Sequence, residues 1–424
     1  MTTSPPDVFP LSQRARRVKL SANAAASGRA AALAAQGRNV LTLTSGEPDF
    51  DTPEPIKQAA VAALARGETK YTATPGTLRL REAIRAKYRR ENALDYAVSQ
   101  IVVANGAKQV IFQALAATLD TGDEVIVPAP YWPSFPDIVR VNDGTPVIVA
   151  SDESSGFKLT PQALEQAITP RTRWLVLNSP GNPTGAVYAA DELAALAEVL
   201  RRHPRVLVLW DEVYEHIWFG ADAPAHLLHV APDLRERALL VNGASKTYAM
   251  TGWRIGWGAG PQALASAMVV IQSQVSSGAN AIGQAATEVA LQSPDQRFVA
   301  EARSAYARRA AFVSAALDAV PGLSVHAPEG AFFVYVNCGA LIGRVRPNGR
   351  PIASDTDVVD WLLDAEGVAV VDGPSYGLSP YFRLSIAAGD AVLADAVGRI
   401  GRAVAALSAS GDAASARAAL EAAG

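Results

Sequence analysis

From about residue 56 to residue 260 the chain alternates amphipathic stretches with short Val, Ile and Leu runs that end in Gly, Pro, Asn or Asp. The runs are apolar nearly throughout, so they predict strands covered on both faces, as in a mainly parallel sheet between helices. They lie at 101–104, 125–127, 147–150, 174–177, 206–210, 238–241 and 254–258. Between them the 3.6-residue period predicts helices at 108–119, 161–167 and 191–202. The alternation is that of an α/β domain.

Beyond residue 290 the texture changes. Val299, Tyr306, Val313 and Val320 recur every seven residues, with Ala302, Ala310 and Leu317 filling the same stripe, and predict one long amphipathic helix. Strand-like runs follow at 331–337, 368–371 and 381–386, then a helical pattern at 391–407. The Ala/Ser-rich end from Ser408 onward offers little to pack and is expected to fray. No fixed-period repeat supports a solenoid or propeller.

Composition narrows the classes. The 424 residues carry 38 Lys+Arg against 41 Asp+Glu and are 49% hydrophobic, enough apolar mass for a large core and no excess charge to attract a polyanion. The basic stretch Arg14 to Lys19 reads as a solvated helix face, and nucleic acid is not an expected partner. Cys338 is the one cysteine, so no intrachain disulfide forms and a reducing, cytoplasmic setting is expected. The start MTTSPPDVFP lacks the basic and apolar segments of a signal peptide. Residues 255–287 are uncharged but contain Pro261, Gln272, Gln274, Asn280 and Gln284, which fits a helix buried in protein better than a membrane span.

Open α/β sheets bind ligands outside the carboxyl ends of their strands, so the residues after each strand are the informative ones. They are Asn105-Gly106-Ala107-Lys108, the run from Asn178 to Gly185, Asp211-Glu212, and Asn242-Gly243-Ala244-Ser245-Lys246. A phosphate seat, an amide, a carboxylate and a lysine would converge on one rim. Taken alone, Lys246 reads as a loop-tip charge, but Ser245 beside it and Arg254 eight residues on suit a Schiff-base lysine serving a phosphorylated aldehyde. The helix start after Gly106 adds amides for the same phosphate. Asp211 reads equally as a helix N-cap, a structural ion pair or the partner of a protonated pyridine nitrogen. Tyr214, three residues on, has a spacing that returns its hydroxyl to that site. Asn182 is either a turn residue or a donor to a ring oxygen.

Eight blocks carry a family resemblance: SGEPDFDTPEPIKQA from Ser45, KYTATPGTLRLREAI from Lys70, NGAKQ, PYWPSFPDIV, LNSPGNPTGAVY, DEVYEH, NGASKTYAMTGWRIGW and PYFRLSIA. Spread in order over nearly the whole chain, they resemble the class I aminotransferases, fold-type I pyridoxal-phosphate enzymes, close to the bacterial aspartate and aromatic branch. The resemblance implies a large domain at 52–300 with a seven-stranded, mainly parallel sheet between helices, and a smaller α/β domain from 1–51 and 301–424. It implies pyridoxal 5'-phosphate as cofactor and ping-pong amino transfer from an acidic or aromatic L-amino acid to a 2-oxo acid. Lys246 resembles the Schiff-base lysine, Asp211 the partner of the pyridine nitrogen, Asn182 and Tyr214 those of the ring oxygen, and Trp132 the stacking aromatic. Gly106, Ala107, Ser245 and Arg254 resemble the phosphate cup. Tyr71 resembles the residue that reaches the partner subunit's cofactor, which implies a homodimer with shared sites. Arg383 resembles the α-carboxylate clamp with Gly46 beside it, and Lys108 the reader of a distal carboxylate, against the plainer reading of an exposed first-turn lysine.

Three departures from that branch read as lying on one rim: Asn23 in Ser21-Ala22-Asn23, the run Ser277-Gly278-Ala279-Asn280, and Ser375-Tyr376 before Gly377. They bear on amino-acid choice. Elimination or replacement chemistry on the same fold is the alternative reaction, and a non-catalytic regulatory protein the alternative class. His226 and His229 have no carboxylate or cysteine cluster beside them in sequence and read as surface or core histidines, with no metal expected. Gly256, Gly258 and Gly260 do not form a dinucleotide turn, and Cys338 reads as a small buried residue.

Overall fold

The computed structural model describes residues 10–20 and 22–408. Residues 1–9, Ser21 and the tail from 409 lie outside them, and with them most of the expectations for the N-terminal start and the C-terminal end. Among the described residues no helix is long and apolar enough to cross a membrane.

The central sheet has seven strands in the spatial order Ile101–Ala104, Gly256–Ala259, Ala238–Gly243, Leu207–Asp211, Thr172–Asn178, Glu124–Ala129 and Thr145–Ala150. All seven expected strands are present. Gly256–Ala259 alone runs antiparallel to its neighbours, Ala104 opposite Gly256 and Gly243 opposite Gly256. That reversal places Arg254, just before the strand, at the rim where the other strands end. Apolar clusters cover both faces, one built around Ile101, Leu175, Val208 and Leu240, the other around Val102, Val125, Val176, Leu209 and Val241. The alternation of neighbours between clusters is the period-2 geometry of a strand buried on both sides. Thr145–Ala150 departs from the expectation: it is the sheet's edge and is half exposed.

The uncharged stretch 255–287 is not one buried helix. It supplies the strand Gly256–Ala259 and two helices, Gln262–Val275 and part of Ala281–Gln292. Pro261 starts the first helix, and Asn280 caps the second through its Oδ1, which accepts from Gly283 N. The buried Gln272 donates to the carbonyls of Thr74 and Val103, its Oε1 being without a partner among the described residues, and Gln284 Oε1 accepts from Thr77 N at 2.7 Å. A polar side chain in such a core needs these partners.

The long helix is Arg297–Asp318, with Ala302, Tyr306, Ala310, Val313 and Leu317 buried along one face. Val320 lies beyond its end. The stripe packs in a third cluster with Phe333–Asn337 and Tyr381–Ser385 of a four-stranded sheet and with the helix Asp390–Ala405. Leu43 from the N-terminal segment and Tyr214 and Ile217 from the rim join this cluster. The expected strand at 368–371 splits in two: Val368–Ala369 pairs with Leu41–Thr42, and Val371–Asp372 joins Tyr381–Ser385.

Candidate active site

The strand ends surround a cavity of about 250 Å³ lined by residues of eight separate segments. Ala107, Lys108, Trp132, Asn182, Asp211, Tyr214, Ser245, Lys246, Arg254 and Gly46, ten of the thirteen residues singled out from sequence, face it. Arg383 adjoins it through Asn182. Gly106 shapes it from behind, and Tyr71 alone stands apart, 94% exposed on this chain's surface.

At one end, the helix Ala107–Ala116 begins at Gly106, whose φ of +89° is left-handed. A Cβ on Gly106 would stand 2.4 Å from Arg254 Nη2, and one on Gly256 would stand 2.2 Å from Ala107 N, so both glycines admit a close approach of backbone and guanidinium. The amides of Gln109 and Val110 reach Gly106 O, which leaves those of Ala107 and Lys108 without an acceptor among the described residues. Among the described residues Arg254 donates only to backbone, to Thr251 O at 2.8 Å and Asn105 O at 3.3 Å, and no carboxylate pairs with it. Free amides, the Ser245 hydroxyl and an unpaired guanidinium form a seat whose chemistry fits a phosphate.

Asp211 ends its strand 5% exposed, its carboxylate accepting one hydrogen bond among the described residues, from Val213 N at 3.2 Å. Burial raises its pKa to about 7, against smaller opposing effects of that amide and of Lys246. A buried carboxylate with so few donors fits a protonated ring nitrogen. Its main chain is held by Asn178, whose Nδ2 donates to Asp211 O at 3.0 Å while its Oδ1 accepts from Asn182 N at 2.9 Å. Lys246 follows the next strand in the short helix Ala244–Thr247. Its Nζ donates to Gly46 O at 2.6 Å, and burial, then Arg254, lower its pKa to about 8. Gly46, expected beside the substrate carboxylate, is thus the resting acceptor of the lysine.

Tyr214 sits in a turn, not on a helix, and still reaches the cavity. Trp132 packs edge-on against Phe135 and carries Lys108 Nζ 4.8 Å above its ring. Lys108 is the exposed first-turn lysine of the plainer reading, yet its amine also faces the cavity, where partial desolvation and Arg254 lower its pKa.

Arg383 is fully buried. Its Nη1 donates to Asn182 Oδ1 at 3.1 Å and its Nη2 to Thr44 O at 2.5 Å, its guanidinium lies against the rings of Phe333 and Tyr376, and its Nε has no partner. Burial lowers its pKa. A buried cation with an unmet donor and, among the described residues, no carboxylate partner fits a substrate carboxylate.

Of the three departures, Ser277–Asn280 does not line this chain's cavity: Asn280 caps a helix, its Nδ2 holds Trp253 O at 2.9 Å, and Gly278 O accepts from Asn105 Nδ2 at 3.4 Å. His226 is a core histidine, within the expectation, and the fold brings Glu212 to its Nε2 at 2.9 Å. Ile111 and Val213, which also line the cavity, carry no role in the sequence reading, and Asn178 enters it only as the start of a rim run. Asn178 carried a usable signal, since it ends the strand next to that of Asp211.

Comparison with known proteins agrees with this geometry. Residues 38–400 match the family described as aminotransferase class I and II. The chain is 51% identical to an aspartate aminotransferase of Rhizobium meliloti, covering 88% of this chain and 90% of the relative. It is 49% identical to an aspartate/prephenate aminotransferase of Cereibacter sphaeroides, covering 92% and 97%. The crystal structure of the Rhizobium meliloti aspartate aminotransferase superimposes with a TM-score of 0.92 at 49% identity, covering 94% of this chain and all of that one. The Thermus thermophilus aspartate aminotransferase with maleate superimposes at 0.87 and 40% identity, covering 93% and 100%.

Proposed function

The chain belongs to the class I and II aminotransferases, in the aspartate branch, and from that premise we propose how its residues divide the work of amino transfer. When bound, pyridoxal phosphate supplies an aldehyde that takes the amino group and a ring that accepts the electron pair left at Cα. The amides of Ala107 and Lys108 with Ser245 and Arg254 hold its phosphate. Asp211 keeps a proton on the ring nitrogen, Asn182 and Tyr214 hydrogen-bond the ring oxygen, and Trp132 stacks on the ring. Lys246 moves the proton from substrate Cα: with a pKa of about 8, its amine is available as a base near neutral pH. Arg383 binds the α-carboxylate, oriented by Asn182 and Thr44.

Aspartate or glutamate is the proposed donor, its distal carboxylate on Lys108, and a 2-oxo acid the acceptor. The relatives' names extend the acceptors to prephenate, a ring-bearing 2-oxo acid with a second carboxylate. The exposed Tyr71 suits a homodimer in which it serves the partner's site, and the absence of a membrane-length helix among the described residues suits a cytoplasmic enzyme. We read residues 52–300 as the cofactor domain and 1–51 with 301–424 as the smaller one.

One observation carries this reading: a buried, under-donated carboxylate and a buried amine with lowered pKa share one cavity with an unneutralised phosphate seat. The test is to reconstitute the protein with pyridoxal phosphate and follow its visible absorbance against a panel of amino acids. Conversion to pyridoxamine phosphate with aspartate or glutamate is expected; release of ammonia instead would mean elimination, and no cofactor absorbance at all would end the reading.

A further inference from the structure

Arg383 and Lys246, the clamp and the amine of the proposed reaction, hang from one short segment. Thr44 O accepts from Arg383 Nη2 at 2.5 Å, and two residues on Gly46 O accepts from Lys246 Nζ at 2.6 Å. The segment has neither helix nor strand from residue 43 to residue 53, and among the described residues no main-chain hydrogen bond involves residues 44–52. Its course therefore depends on side chains.

Both ends are fixed. Leu43 N donates to Ala369 O and Leu43 O accepts from Ser385 N, each at 2.9 Å, while Thr52 Oγ1 donates to Ala249 O at 2.6 Å and accepts from Trp253 Nε1 at 3.1 Å. Between them Glu47 Oε1 accepts from Thr251 Oγ1 at 2.6 Å, and Asp49 Oδ1 accepts from Arg309 Nη1 at 2.8 Å. Arg309 stands on the long helix Arg297–Asp318 and does not line the cavity; its side chain is 10% exposed. Its Nε donates to Asp390 Oδ1 at 2.7 Å, and its guanidinium lies 5.4 Å from the ring of Phe50, the residue after Asp49. A planar guanidinium that donates from two edges and packs on a ring fixes its carboxylate partner as a point charge does not.

We propose that Arg309 is a positioning residue for Lys246: by holding Asp49 it sets the course of residues 44–52, and with it the Gly46 carbonyl that receives the amine whenever the amine is free. The role of that amine is the one given in the aminotransferase reading above, on which this inference rests. The sign of the effect separates positioning from charge. Besides burial, the charged groups that act on Lys246 are Arg254, Glu47, Asp211 and Arg383. A carbonyl that accepts from the ammonium favours the charged form, so an amine that loses Gly46 O gives up its proton more readily. By charge alone, removing the Arg309 cation would favour the ammonium and removing the Asp49 carboxylate would disfavour it. Acting through Gly46, both removals free the amine.

The test is competitive acetylation of the full-length, cofactor-free protein with acetic anhydride at pH 7, well below the melting temperature. Lys246 is read by mass spectrometry against an added amino acid standard. Its labelling is expected to rise about fivefold in Arg309→Met and to rise also in Asp49→Asn, because each loosens a hydrogen bond made by a charged group. The double variant should match Arg309→Met, since one residue acts through the other. Arg309→Lys, which keeps the charge on a single donor point, should show a smaller rise. Asp390→Asn, on the side where the carboxylate is 74% exposed, should change labelling less than about twofold. In the loaded enzyme the acid limb of kcat against pH should move to lower pH in Arg309→Met. Labelling that falls in Arg309→Met, that changes in opposite senses in the two single variants, or that stays constant while only the melting temperature drops would overturn the proposal. If Arg309→Met does not fold, Arg309→Lys decides, because its charge is unchanged and only a rise agrees with positioning. The labelling needs no cofactor, so its failure refutes this inference alone; a protein that converts no amino acid refutes the reading beneath it.

Discussion

Asp211 and Glu212 are neighbours in sequence and opposites in environment. Asp211 faces the cavity with one amide donor and a pKa raised to about 7. Glu212 faces away and is saturated: Tyr88 Oη donates at 2.9 Å, Asn242 Nδ2 at 3.2 Å, and His226 Nε2 lies at 2.9 Å. Behind it Lys87, 1% exposed, pairs with Glu215 and donates to Asn92 Oδ1 at 2.8 Å. Burial opposes ionisation of Glu215, yet Lys87 and the other donors hold its pKa below the usual range. Asn242 also donates to Glu215 at 2.6 Å, so one amide ties the strand leading to Lys246 to the segment carrying Asp211 and Tyr214. The side that binds keeps hydrogen-bonding capacity unmet, and the side that supports is closed. Unmet capacity in a buried group is costly in the free protein and becomes binding energy when a complementary ligand arrives.

Substitutions on the two sides should therefore fail differently. Lys246→Ala is expected to lower amino transfer by about 10⁴-fold or more, the amine being both attachment point and base, with a melting temperature close to the parent's. Steady-state rates and calorimetry on one preparation decide this; unfolding as the cause of the loss would break the comparison. Asp211→Asn comes next, with turnover falling roughly 10²–10³-fold as a preorganised charge is removed.

The same variant sharpens the argument through pH. In the cofactor-free protein the Asp211 pKa is raised from 3.8 to about 7, so its contribution to stability is full below about pH 4 and is lost as pH rises through 7. Lys246, lowered from 10.5 to about 8, makes stability rise with pH from about 8 upward. The difference in denaturant midpoint between Asp211→Asn and parent should grow in the variant's favour from pH 4 to pH 7 and then level; a flat difference would mean that the carboxylate is not desolvated.

On the closed side, Lys87→Met should cost about 3 kcal/mol of folding stability by leaving Glu215 without its cation, seen as a lower urea midpoint. Any loss of turnover should follow that of fold. The smallest effect is expected from Gly106→Ala, whose methyl group displaces Arg254 and strains a left-handed residue: cofactor affinity should weaken about tenfold, measured by equilibrium titration.

Much of this is legible in the sequence. The seven central strands and the rim residues after them follow from uninterrupted apolar runs closed by Asn, Gly, Asp or Lys, because a strand's burial and its turn chemistry are local properties. Where local signals were mixed, reading failed. Residues 255–287 looked uniform because glutamines in a core are indistinguishable from glutamines on a surface until their carbonyl partners are known. Thr145–Ala150 looked like a covered strand because an edge is a property of the sheet and not of the strand.

The sequence by itself determined the alternation of strands and helices, the placing of Asp211 and Lys246 at strand ends, and the identity of the family. Tertiary structure alone decided that Asp211 would be left short of donors while Glu212 was saturated, that Lys87 would be buried, and that Asn23 would meet Tyr376. The physical reason is range. Periodicity and turn preference act over a few residues, whereas desolvation and hydrogen-bond satisfaction depend on partners tens to hundreds of residues away, which only the closed fold brings together.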